Sequence, residues 1–213
     1  MSNRFAIIIV ALIIIFGGIF FINKNKADAP NASSNAAQVS KHIKEGSSGV
    51  TLTEYADFQC PGCGAYYPIV KQVMDKYAGK VTFQFVNFPL VQIHQHAMAA
   101  HRAAEAANKQ GKFWEMYDLL YANQTAWSSS SNTSTIFEGY ASQLGLNKDQ
   151  FKQDSASSAV NDVINADLAA GRKLNVNATP TFFLNGQKLD QPPQDLDGFT
   201  KLLDDAIAAK TKS

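Results

Sequence analysis

Cysteine is scarce in this chain of 213 residues: it occurs at positions 60 and 63 and nowhere else. A disulfide scaffold needs several distant pairs, so a small stapled domain is excluded. Two thiols three residues apart close too small a loop to constrain an unfolded chain, which makes their purpose chemical. An excess of either charge is missing as well. Lys and Arg total 19 against 18 Asp and Glu. Residues 1–40 hold Arg4, Lys24 and Lys26 against Asp28, leaving 16 basic and 17 acidic groups in the remainder. No basic field exists to hold phosphates, and nucleic acid is not expected as a partner. Internal repeats are absent. What is plentiful is apolar: 46% of residues are hydrophobic and 11% aromatic, enough for one well-filled domain without a second.

Phe5 to Ile22 (FAIIIVALIIIFGGIFFI) is an uncharged run of 18 residues. At about 1.5 Å per residue, a helix of that length spans roughly the hydrocarbon core of a bilayer. A cleaved signal peptide usually has a shorter apolar region, about 7 to 15 residues. The small-x-small site Ala27-Asp28-Ala29 is followed by Pro30, which is unfavourable for cleavage. Residues 1–22 are therefore expected to be a single N-terminal membrane anchor, or an uncleaved signal. Arg4 and the α-amino group nearly balance Lys24 and Lys26, so orientation must come from the chemistry downstream. Residues 23–40, rich in Asn, Ala and Ser, bury too little to offset their ordering entropy and are expected to be a flexible linker. The folded domain is expected over 41–213.

Within it, Val50 to Tyr55 alternates and is β-branched, as a strand does. After Cys63, Tyr66, Val70, Val73 and Tyr77 share one helical face, and Gly79 closes the helix. Val81 to Phe88 alternates as a second strand. A helical block of about 92–175 follows: an Ala-rich helix ending at Gly111, then KFWEMYDLLYAN with Phe113, Met116, Leu119 and Leu120 for a core. A Ser-rich loop, WSSSSN, and three further helical segments complete it. Thr181–Leu184 and Gln187–Leu189 flank Asn185-Gly186, the strongest two-residue hairpin signal. A last helix closes the chain. The order β-α-β, helical block, β-β-α is that of an α/β, thioredoxin-like fold with a helical insertion, here preceded by one transmembrane helix.

Cys60-Pro61-Gly62-Cys63 falls where a strand ends and a helix begins. At the N-cap, unpaired N–H groups and the helix dipole stabilise a thiolate on Cys60. Pro61 suits the first turn, where its missing donor costs nothing. Cys63, one turn on, is placed to attack a mixed disulfide at Cys60, and two thiols suffice for exchange with no cofactor. The alternatives are half a zinc site or inert buried cysteines. Zinc needs four ligands, and the spacing of His94, His96 and His101 from Cys63 fits no finger or ribbon pattern, so no metal is expected. Thr179-Pro180 opens the hairpin strand, where proline is tolerated; sequence alone does not set its isomer.

The segments EYADFQCPGC, FQFVNFPLVQIHQHA, AANKQGKFWEMYDLLYANQ and VNATPTFFLNGQKL together resemble the DsbA-type thiol–disulfide oxidoreductases, nearest their membrane-anchored, Gram-positive-like branch. The resemblance runs from about residue 41 to the C-terminus. It implies Cys60 as nucleophile, Cys63 as resolving thiol, and a cis Thr179-Pro180 beside the Cys60 sulfur. Substrate peptides would then lie against Thr179, Pro180, Pro61 and Gly62, the Thr179 backbone pairing with them by strand addition. Glu54 matches the family's partly buried acid, a carboxylate able to relay the Cys63 proton; the alternative is a solvent-facing strand-end acid. Asp57 invites the same pair of readings. His94, which matches a histidine common in the family, and His96 are expected to pack or cap the first inserted helix rather than to catalyse. The family's strongly oxidising members have Pro-His between the cysteines. Gly62 offers no side-chain donor there, so a less depressed Cys60 pKa and a less oxidising couple are expected.

These readings converge on a monomeric, extracytoplasmic oxidase of secreted or cell-envelope proteins, since cytosolic thiols are kept reduced. A quinone-linked membrane partner of the DsbB or VKOR type would reoxidise it, by family analogy. The rivals are a tethered reductase or isomerase on the same scaffold and a non-catalytic binding module.

Overall fold

The structure is a computed structural model that describes Ser40 and residues 42–211. The expected anchor, and all of the expected linker except Ser40, lie outside the described residues. Among those described, no helix is long and apolar enough to cross a membrane.

Five strands form one sheet in the order β1-β3-β2-β4-β5. They are β1 (His42–Lys44), β2 (Thr51–Ala56), β3 (Thr82–Asn87), β4 (Thr181–Leu184) and β5 (Gln187–Lys188). Helix α1 (Pro61–Lys76) crosses from β2 to its parallel neighbour β3, the connection that parallel strands require. β1 runs antiparallel to β3, β4 to β2, and β5 to β4. Between β3 and β4 come α2 (Ala97–Asn108), α3 (Phe113–Ala122), α4 (Gln124–Ser128), α5 (Thr133–Gln143), α6 (Lys148–Ala156) and α7 (Ser158–Lys173). The inserted helices thus fall inside the expected 92–175, and α8 (Leu196–Lys210) ends the domain. Asn147, Ser157 and Asp195 cap α6, α7 and α8 by accepting N–H groups from Gln150, Val160 and Gly198. The hairpin turn has both Asn185 (φ 51°) and Gly186 (φ 80°) in the left-handed region, as its two-residue type demands.

Strand alternation divides the core. Leu52, Ala56, Phe83, Phe85 and Phe182 turn to the larger cluster with α1, α3 and α8, whereas Tyr55, Val86, Phe88 and Phe183 meet Val160, Ile164 and Leu168 of α7. Glu54 shares the parity of Leu52 and Ala56, so a carboxyl group enters the larger core.

Four local expectations change. Ser40, placed in the linker, is buried, and its N–H and hydroxyl both donate to Asp167 (2.7 and 2.6 Å); the folded unit starts no later than that residue. β1 was not foreseen, because three residues carry no readable alternation. On α3, Leu119 is half-buried and Tyr117 takes the core position. Trp127 belongs to helix α4 rather than to a loop: fully buried, its indole N–H donates to the Leu120 carbonyl at 2.7 Å.

Candidate active site

The larger core cluster ends against the start of α1, where β2 delivers the chain into the Asp57–Cys60 turn. Cys60 is the N-cap, with extended φ −67° and ψ 123°, and Pro61 sits in the first turn. No side chain caps this end, so the first amides stay available to a sulfur. Both cysteines are free thiols. Cys60 is 9% exposed, Cys63 only 1%. The Cys60 thiol donates to the Thr179 carbonyl at 3.2 Å, and the Asp57 N–H donates to the Cys63 sulfur at 3.5 Å.

The two thiols are driven apart electrostatically. Cys60 falls from 9.0 to about 5. The Cys63 thiol as hydrogen-bond donor is the largest cause; burial opposes it, and the Thr179 side chain and the Cys63 and Gly62 N–H groups add to it. The neighbouring thiol and Thr179 thus join the backbone amides expected at this helix start, and neither is marked by the local sequence. The Thr179 hydroxyl is buried with no other partner in the dithiol, which leaves its hydrogen free for a thiolate. Cys63 moves the opposite way, pushed well above 9.0 by burial, by its bond to Cys60 and by the charge of Glu54. Iodoacetamide alkylation of the reduced protein is therefore expected to rise with a midpoint near pH 5, at Cys60 only. A midpoint near 9 would contradict this assignment.

Glu54 is 2% exposed and its Oε2 has no hydrogen-bond partner. Burial, and then the Cys60 charge, push its carboxyl from 4.5 up to about 8. The solvent-facing alternative for Glu54 is excluded by that burial. Asp57 is fully buried too, but satisfied. Its carboxylate accepts the Gln59 and Leu90 N–H groups at 2.7 and 2.8 Å and meets His94 Nδ1 at 2.7 Å. Burial would push it up; His101, then His94 and the Leu90 N–H, outweigh burial and hold it below the usual carboxylate range.

His94 thus lies in the turn before α2, bound to the active-site turn, and His96, at the N-cap of α2, makes no side-chain cap bond. A chain of buried polar groups leads on from here. The Phe58 N–H reaches His101 Nε2 at 3.4 Å, and His101 Nδ1 meets Asn87 Oδ1 at 2.6 Å. The Asn87 amide donates to Glu105 (2.6 Å) and Asp167 (2.8 Å). Glu105 pairs with His42, whose ring stacks on Phe113. Among the described residues no group of three or more His, Cys, Asp or Glu is arranged to hold a metal ion.

The Thr179–Pro180 bond is cis and borders the sulfur. A Cβ on Gly62 would stand 3.4 Å from Pro180 Cδ and 3.6 Å from both Cys60 Sγ and the Thr179 oxygen. Those are ordinary contacts, so position 62 accepts a side chain that would overlook the thiolate. Two glutamines went unnoticed in the sequence. Gln124 donates to the carbonyls of Phe58 (2.7 Å) and Cys60 (2.8 Å), and the Gln59 carbonyl oxygen accepts the His96 N–H at 2.7 Å. Both fix the turn that carries Cys60, and no spacing rule marks either.

The thioredoxin family model matches residues 37–205. Among solved structures, alpha-DsbA1 from Wolbachia pipientis is 21% identical with a TM-score of 0.66, covering 76% of this chain and 87% of that one. BdbD from Bacillus subtilis is 22% identical with a TM-score of 0.67, covering 84% and 98%. Among curated proteins, the Na(+)/H(+) antiporter NhaA 3 of Salinispora tropica is 38% identical over 143 residues, which is 67% of this chain but 21% of that protein. The chain spans about a fifth of the length of the curated relatives it matches. With a family match across most of its length, the chain belongs to the thioredoxin family, and its fold is that of the DsbA-type thiol–disulfide oxidoreductases.

Proposed function

We propose that this chain, a DsbA-type thiol–disulfide oxidoreductase, runs as an oxidase that gives disulfides to secreted or cell-envelope proteins. One observation carries the direction: the Cys60 thiol falls to about 5. A stabilised thiolate favours the reduced form, so the Cys60–Cys63 disulfide is a ready electron acceptor.

In this reading a substrate thiolate attacks the Cys60 sulfur of the disulfide. A Cys60–substrate bond forms, and Cys63 leaves as a thiolate that takes up a proton through Glu54. A second substrate thiolate then attacks the substrate sulfur and expels Cys60 as its stable thiolate. The extended substrate would pair with the Thr179 backbone beside cis Pro180 and pass Pro61 and Gly62. A tether at residues 1–22 would hold the domain on the extracytoplasmic side, close to a quinone-linked reoxidant of the DsbB or VKOR type, raising that partner's effective concentration.

The reduction potential against glutathione tests the direction. A value more positive than about −200 mV is expected; one near the roughly −270 mV of thioredoxin would favour the reductase reading. Gly62→His, which position 62 has room for, is expected to lower the Cys60 pKa further and raise the potential by about 30 mV per pKa unit gained. A variant with an unchanged Cys60 pKa would count against the role given to position 62.

A further inference from the structure

The inserted helices α2, α5 and α6 enclose a cleft of about 290 Å³ that shares no residue with the disulfide site. Each helix lines it with residues one turn apart: Ala99 and Ala103 from α2, Thr133 and Phe137 from α5, Phe151 and Ser155 from α6. Residues four apart share a helix face, so one surface of each helix is turned to the cleft. Ala103, Phe137 and Phe151 are buried and make an apolar floor. The side chains of Ala99 and Ala103 stop at Cβ, which leaves room between three packed helices.

The polar groups around that floor carry an unbalanced positive charge. Arg102 lines the cleft, half-buried, its Nε donating to Asn161 Oδ1 at 2.8 Å. No Asp or Glu among the described residues forms an ion pair with it. Its two Nη atoms therefore present a fork of donors that matches a carboxylate. Lys152 and Glu138 also line the cleft but neutralise each other at 3.0 Å. Thr133 and Ser134 open α5, and their N–H groups have no carbonyl partner within that helix. A second unmet group is the Ser155 hydroxyl, whose oxygen is buried and has no hydrogen-bond partner. Native proteins pair nearly all such atoms. We propose that this cleft binds a small amphipathic carboxylate, its chain on Phe137, Phe151 and the alanines and its head group on Arg102 and Ser155. A mostly apolar pocket with a few convergent polar groups is the usual form of a small-molecule site. The chemistry selects the class: an uncharged hydrocarbon leaves the guanidinium unpaired, and a compact anion leaves the floor uncovered.

Octanoate is the probe, titrated into the full chain and followed by the methyl NMR signals of Ala99, Ala103 and Ala156, which line the cleft. Saturable shifts are expected, with a Kd of about 1 mM or tighter. Each methylene removed, down to butyrate, should weaken binding by about fourfold. Octan-1-ol keeps the chain and loses the charge, and should bind at least about tenfold more weakly. Arg102→Met should cost octanoate a similar factor and leave octan-1-ol unchanged. Ser155→Leu, which fills the cleft from α6, should abolish binding of both; were it not to fold, Arg102→Met and the chain-length series decide alone. Octan-1-ol binding as tightly as octanoate, or Arg102→Met without effect, would overturn the carboxylate assignment. Methyl signals that show no saturable shift up to about 10 mM octanoate would overturn the site itself.

Discussion

Replacing Cys63 by alanine is expected to turn the protein from a catalyst into a trap. Cys60 holds the more exposed and more acidic sulfur, whereas Cys63 is sealed behind it within the first turn of α1. That neighbour can clear a mixed disulfide at Cys60 from within, beside the second substrate thiol that completes oxidation. Without it, an adduct whose substrate has no second thiol in reach is cleared only by thiols from solution, which lack the advantage of an aligned intramolecular attack, an effective molarity on the order of 10⁵ M or more. The lifetime of the mixed disulfide should rise by at least about a hundredfold. Non-reducing gels of cells expressing Cys63→Ala are expected to show adducts that vanish on reduction and in Cys60→Ser, and their identities would name the substrates. A second effect accompanies the first. Because the Cys63 thiol is the leading cause of the depressed Cys60 pKa, that pKa should rise in the variant. Adducts that persisted in Cys60→Ser would sink the assignment of the attacking sulfur.

Glu54→Leu carries the second large effect, on stability. A carboxyl whose folded pKa stands above its ordinary value makes the unfolded state the better acid, so stability falls as pH rises between the two values, here from 4.5 to about 8. Removing the group lifts that burden, by up to about 3 kcal/mol at pH 7. The gain should grow from pH 4 to pH 8 and shrink on acidification, as read by denaturant unfolding of the reduced protein. The same variant should exchange disulfides more slowly, since Cys63 loses the carboxyl proposed to exchange its proton. A Glu54→Leu protein less stable than the parent at pH 7 would mean that Glu54 is ionised and well paired in the folded state.

The parts of the site that speak through local chemistry were legible. A proline after a cysteine at a strand end marks a helix start, and Asn185-Gly186 marks a hairpin, because each fixes the backbone within a few residues. The family resemblance, rather than any local signal, placed Thr179-Pro180 beside Cys60. What stayed hidden is held by distance. Asp57 meets His94 across 37 positions and Ser40 meets Asp167 across 127, and neither pairing leaves a periodic trace. Gln124 reads as an ordinary surface amide until α4 swings it onto the turn before α1. The packing or capping role expected for the histidines came from their place in the chain, and His94's bond to Asp57 is a partner that place does not reveal.

The buried polar chain that links Asp57 to Ser40 has a mechanical meaning. Its members are short, hydrogen-bonded on several sides and backed by the sheet, so they act together as a stiff rod more than as a set of hinges. Ser40 lies at one end of that rod, and Asp57, whose N–H donates to the Cys63 sulfur, lies at the other. Between those ends stand one asparagine and one imidazole, Asn87 and His101, each bonded to the next.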